Sequence, residues 1–170
     1  MTRRRQRTKS ATKRHRKGAS AASKKIAEIN DALKENDIAA LRHLGRTMGG
    51  FLNDSIRRKA WRALLAYENI HQTIHDKHKD ESQVALDVAR SFNTFPKDIK
   101  PKTKNQLRSK LQSVIVHVLR TYPDLHYYQG FHDIASVFSL VFNEKDAGIL
   151  MENVALFFIR YPFFFTFIRP

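Results

Sequence analysis

Residues 103–122 read TKNQLRSKLQSVIVHVLRTY, and this stretch decides the fold. Leu107, Leu111, Val114, Ile115, Val118, Leu119 and Tyr122 recur at three- and four-residue intervals. They draw one apolar stripe along about four turns of α-helix. Thr103 opens the stretch and Pro123 stops it, because a proline ring clashes with the preceding turn.

The same period repeats on both sides. Downstream, Phe131, Ile134, Phe138 and Val141 predict a helix over 130–142, and Ile149, Val154 and Phe157 predict one over 146–160. Upstream, Val84, Val88 and Phe92 predict a helix over 81–92, with Pro96 ending the run. Ile56, Ala60, Trp61, Leu64 and Leu65 share a face of a helix over 54–67, capped by Asn53 or Asp54. Ile38, Leu41 and Leu44 predict a helix over 37–44, capped by Asp37 and closed by Gly45; Ile26, Ile29 and Leu33 predict one over 24–35. Gly49-Gly50 breaks the chain, and the polar run 68–80 reads as a loop. No strand-period alternation stands out, so the predicted class is all-α.

The net charge of +15 is a property of one end. Residues 1–25 hold 11 Lys or Arg and no acid, and the other 145 residues carry 20 basic against 16 acidic side chains. Residues 1–23 contain no large apolar side chain beyond Met1 and are expected to be a disordered basic tail. Such a tail suits anionic lipid or nucleic acid, and a basic nucleic-acid-associated helical protein is the reading that rests on it alone. The chain has no cysteine, which excludes disulfides and thiolate metal sites. It has no run of about 20 apolar residues, so no spanning helix is expected, and no signal peptide. His71, His75 and His78 fall at i, i+4 and i+7, a spacing that can hold zinc; the polar surroundings favour an exposed loop instead.

Three short constellations can carry chemistry. In Ile56-Arg57-Arg58-Lys59-Ala60-Trp61, the tryptophan reads as core and the basic residues as surface. In Val84-x-x-Asp87-x-x-Arg90, the acid and base are i, i+3. That spacing gives either an ordinary surface ion pair or an arginine aimed outward from a helix end, where its planar fork suits a phosphoryl group. In Tyr127-Tyr128-Gln129-Gly130-Phe131-His132-Asp133, a glutamine amide sits at a helix start, where it can orient a water; the alternative is a tight interhelical turn with Gly130 serving packing.

In this order the three segments resemble the motifs of the TBC (Tre-2/Bub2/Cdc16) domain, an all-helical family that accelerates GTP hydrolysis by Rab GTPases. Arg57 and Trp61 match its Arg-x-x-x-Trp motif, Val84, Asp87 and Arg90 its Ile-x-x-Asp-x-x-Arg motif with valine for isoleucine, and Tyr127, Gln129 and Gly130 its Tyr-x-Gln-Gly motif. The resemblance runs over about residues 24–160 and is strongest to the ER and Golgi branch that ends in a membrane anchor. It implies a dual finger. Arg90 neutralises charge on the γ-phosphate of the partner, Gln129 positions the attacking water, and Asp87, Tyr127, Gly130, Arg57 and Trp61 are supporting residues. It also implies a Rab GTPase as partner, no cofactor of this chain's own because GTP and Mg²⁺ belong to the GTPase, and a cytoplasmic place at the periphery of ER or Golgi membranes. The segment 161–170, with Phe163, Phe164, Phe165 and Phe167, matches nothing in the family and reads as an apolar tail. The expected architecture is therefore the N-terminal half of a TBC domain. Its fingers are all present and later helices are not, so residues 1–170 alone are expected to be weakly active or to act as a Rab-binding fragment.

Overall fold

The long stripe does form the central helix. In a computed structural model, which describes residues 21–66, 74–93 and 100–159, the chain divides into two compact units at Leu64/Leu65. Among the described residues every regular element is helical, and no helix is long and apolar enough to cross a membrane. The basic tail up to residue 20 and the Phe-rich end from residue 160 lie outside the described residues.

The first unit holds three helices: α1 (described over 21–34), α2 (Ile38–Arg46) and α3 (Asp54–Leu64). Its core is Ile29, Ala32, Leu41, Phe51, Ile56 and Ala60, with Leu33, Ile38, Leu44 and Trp61 packed against it. Both expected caps are present. Asp37 Oδ1 accepts from the Ala40 N–H at 2.8 Å, and Asn53, rather than Asp54, accepts from the Ile56 N–H at 3.0 Å. Gly45 does not close α2, which runs on to Arg46. A Cβ at Gly45 would lie 2.8 Å from Phe51 Cζ, so this glycine is the seat of an aromatic ring. The break at Gly49-Gly50 takes positive φ at both residues, and Lys25 Nζ ties it down through the Met48 carbonyl at 2.8 Å.

The second unit is built on α5 (Pro101–Thr121), which starts two residues before the expected Thr103 because Pro101 is preorganised for a first helical turn. Leu111, Val114, Ile115, Val118 and Leu119 are fully buried. Against α5 pack α4 (Glu81–Arg90), α6 (Phe131–Val141) and α7 (Glu144–Asn153). The helix expected over 146–160 is two elements: α7 begins at Glu144, capped by Asn143, and passes into a π-helical turn over Val154–Phe158. α7 is buried from Asp146 to Glu152. It therefore lacks the one-sided stripe of a surface helix and meets polar partners inside: Glu152 holds His117 Nε2 at 2.6 Å and accepts from the Tyr122 hydroxyl at 3.2 Å. Gly148 makes room for the His117 ring. Lys110 Nζ caps the end of α6 by donating to the Ser139 carbonyl at 2.6 Å and to that of Phe142.

Candidate functional site

α4 carries its apolar residues inward, with Val84, Val88 and the following Phe92 buried, and Asp87 lies on that same face with no exposed surface. A carboxylate cannot sit there unpaired. Its Oδ2 accepts from the Tyr127 hydroxyl at 2.8 Å; its Oδ1 accepts from Arg90 and, at 3.3 Å, from Gln83 Nε2. Burial pushes the Asp87 carboxyl up, but the hydrogen bonds from Tyr127 and Arg90 and the adjacent guanidinium outweigh it, so the group is held below the usual carboxylate range. The reading of Asp87–Arg90 as a surface ion pair is therefore corrected at one end: the acid is buried, and only the arginine, 58% exposed, reaches outward.

Arg90 is the last residue of α4, and the end of that helix is fixed from three directions. Ser91 Oγ donates to the Asp87 carbonyl at 2.9 Å, and Arg108 of α5 reaches the Ser91 carbonyl at 3.3 Å and Asn93 Oδ1 at 3.0 Å. Phe92 then turns the chain with φ +61°, a left-handed conformation that its buried ring holds in place. One guanidinium nitrogen is tied to Asp87, which aims the side chain and leaves further N–H donors facing out.

The turn that bears Gln129 is strapped to the same helix. The Tyr127 N–H donates to Asp80 Oδ2 at 2.9 Å, at the start of α4. Its hydroxyl reaches Asp87, so the ring lies along about two turns of α4. Burial, then the hydrogen bond to Asp87 and its charge, push the Tyr127 phenol well above its ordinary range. His78 Nδ1 accepts from the Asp80 N–H at 3.1 Å, while its Nε2 reaches the carbonyls of Pro123 at 3.2 Å and Leu125 at 3.0 Å. The start of α4 is also locked to α5, where Arg120 grips Glu81 with two bonds of 2.7 and 2.9 Å. The Arg120 hydrogen bond holds the Glu81 carboxyl below its usual range.

Gly130 precedes α6 with φ +105°, and a Cβ there would sit in ordinary contact, 3.8 Å from Tyr128. The glycine thus answers a backbone demand and not the packing role that the sequence allowed. Between half-buried Tyr127 and Tyr128 and this turn, the Gln129 side chain is exposed.

Asp87, Arg90, Tyr127, Gln129 and Gly130 are therefore gathered on adjoining elements of the second unit. Arg57 and Trp61 belong to the first. There Arg57 pairs with Asp54 on its own helix, and Trp61 is half-buried against the core of that unit. Residues 74–80 form the expected loop, but His78 is buried, not exposed. His71 lies outside the described residues, and among those described no cluster of three His, Asp or Glu side chains could hold a metal. Sequence reasoning missed His78, Asp80, His132 and the Glu81–Arg120 pair as supports. Asp87 itself carried a signal, since it falls at i+3 from Val84 and beside Val88, on the apolar face.

Fold and site together define an all-helical module in which an exposed arginine and an exposed glutamine lie on elements joined by one buried aspartate. Comparison with known proteins gives the class its family. The Rab-GTPase-TBC domain model matches residues 54–167, a match that takes in most of the Phe-rich segment in which the motifs showed no resemblance, and the chain belongs to this family. It is 42% identical over 137 residues to GTPase-activating protein GYP8 of Saccharomyces cerevisiae, covering 75% of this chain and 27% of that protein. It is 38% identical over 148 residues to human TBC1 domain family member 20, covering 81% and 36%. It is 34% identical over 140 residues to GTPase-activating protein gyp10 of Schizosaccharomyces pombe, covering 78% and 37%. The chain thus spans roughly a third of the length of these relatives.

Proposed function

We propose that this chain accelerates GTP hydrolysis by a Rab GTPase, with Arg90 and Gln129 entering the partner's nucleotide site. The observation that carries this reading is the buried Asp87, which fixes Arg90 through one oxygen and, through the other, the Tyr127 that leads into the Gln129 turn. Arg90 neutralises charge on the transferring phosphoryl group, and Gln129 orients the attacking water. Neither side chain is a nucleophile or a titrating acid or base, so the pair acts by position and charge on a reaction whose other parts, GTP and Mg²⁺, the partner brings. The names of the relatives support the activity, and the match of residues 127–133 to the ER and Golgi branch supports a place in ER-to-Golgi traffic on the cytoplasmic face.

The test is single-turnover hydrolysis by a panel of GTP-loaded Rabs with the 170-residue chain added. At least one Rab is expected to hydrolyse faster, by less than the roughly 10³–10⁵ of a complete arginine-finger complex. Arg90→Lys is expected to be as inactive as Arg90→Ala, because an ammonium lacks the planar fork. No acceleration of any Rab defeats the proposal. A second reading, a fragment that binds a Rab without activating it, is favoured by the exposed Phe157 and Phe158 at the end of the described chain; binding without acceleration would select it.

A further inference from the structure

His132, the second residue of α6, is nearly buried at 12% exposure and is not used by the mechanism above. Its Nδ1 lies 3.0 Å from the Tyr127 hydroxyl and 3.5 Å from Asp87 Oδ2, and its Nε2 lies 3.5 Å from Asp133 Oδ1. A phenol has one proton to give. If Tyr127 gives it to Asp87, the oxygen turns a lone pair toward His132, and Nδ1 must supply a proton. If Nδ1 is bare, Tyr127 can donate to it instead, and Asp87 Oδ2 loses its only strong donor. The two arrangements differ in which way the phenol points. The ring tautomer selects between them.

Resting on the function proposed above, we infer that His132 is a positioning residue whose Nδ1–H fixes the Tyr127 hydroxyl on Asp87 and so holds both fingers at once. The carboxylate of Asp87, kept ionised by its donors, takes the Tyr127 proton in preference to a neutral imidazole. The groups facing the ring are Asp87 and Tyr127 at Nδ1 and the exposed Asp133 at Nε2, with Arg90 beyond Asp87. Toward the ring Asp87, Tyr127 and Asp133 are acceptors; the one competing at Nε2 is the 81% exposed Asp133 carboxylate, whose pull water screens, so the buried Asp87–Tyr127 pair holds a proton at Nδ1. His132 reaches the reaction only through Tyr127 and Asp87.

Two measurements test this. In the 170-residue chain labelled with ¹⁵N in its imidazole rings, long-range proton–nitrogen spectra should show His132 protonated at Nδ1, its signal assigned by its loss in His132→Asn. A ring protonated at Nε2 alone overturns the inference, whether or not the chain accelerates hydrolysis. In single-turnover assays with a responsive GTP-loaded Rab, His132→Ala should lower the maximal rate by about 10- to 100-fold and leave the half-saturating concentration unchanged. His132→Asn, which places an N–H where Nδ1 was, should recover most of the rate, and His132→Gln should not. Adding His132→Ala to Tyr127→Phe should cost little more than Tyr127→Phe alone. An unchanged rate in His132→Ala, no rescue by asparagine, or additive losses would each overturn it; melting curves of the variants keep unfolding apart from mispositioning. A wild-type chain that activates no Rab defeats the proposed function instead, and the tautomer alone then decides the inference.

Discussion

Asp54–Arg57 and Asp87–Arg90 are the same sequence device, an acid followed three residues later by an arginine on one helix, and the two units use it in opposite ways. On α3 the acid is 61% exposed and the arginine 32%, so the pair lies in water. On α4 the acid is fully buried and the arginine 58% exposed. Solvent screens the first pair to little net value. The second is a lever: a carboxylate inside the core collects Tyr127, Arg90 and Gln83, and one of those donors projects outward. Spacing alone does not make a site. What separates the pairs is the apolar face on which Asp87 falls, and the tyrosine that another segment brings to it.

The largest break in this contrast is Asp87→Ala. It removes the acceptor shared by Tyr127 and Arg90, and is expected to cost about 1–3 kcal/mol of stability, read by urea unfolding, while taking any stimulated Rab hydrolysis to background. Gly130→Ala comes next. A Cβ at φ +105° strains the turn by about 1–3 kcal/mol although space for it exists, and the stimulated rate should fall with it, because the strain lands beside Gln129.

Acid sharpens the contrast by titration. Asp87 and Glu81 are both held below their ordinary values of 3.8 and 4.5. The stability they contribute is complete above those values and is lost as pH falls through the lower folded-state values. The urea midpoint should therefore drop as the pH goes from about 5 to 3, and drop less steeply in Asp87→Asn. A midpoint equally steep in Asp87→Asn would remove Asp87 from the account. The smallest effect belongs to the exposed pair: Asp54→Ala should change stability by less than about 0.5 kcal/mol. A loss comparable to that of Asp87→Ala would show that burial is not what distinguishes them.

Most helices were legible because their apolar residues fall on one face, as in α5, where five of the seven stripe residues are buried, Leu107 and Tyr122 at its ends are partly so, and only polar Thr121 is buried without having been in the stripe. Reading failed where a residue's task depends on a distant neighbour. Gly45 looks like a helix stop until Phe51 folds onto it. α7 has no single stripe because it is buried nearly all round, so its start gave no periodic signal, and the spacing of Val154 and Phe157 read as ordinary helix where the chain forms a π-helical turn. Of the site, Arg90, Asp87, Tyr127, Gln129 and Gly130 could be picked out by their resemblance to known motifs. That His78 and Asp80 strap the turn to α4 could not, because those contacts join residues about 45 positions apart along a chain whose local pattern there is only polar.

The most direct test is capture of the transition state. Aluminium fluoride with GDP imitates the transferring phosphoryl group, and a site complementary to that state binds it more tightly than GDP alone. Gel filtration of the 170-residue chain with a responsive GDP-loaded Rab should show a complex only when aluminium fluoride is present. Arg90→Ala, Gln129→Ala and Asp87→Ala should each abolish it, with the variants still folded by circular dichroism. A complex that forms equally without aluminium fluoride, or that survives loss of Arg90 or Gln129, would contradict the dual-finger account.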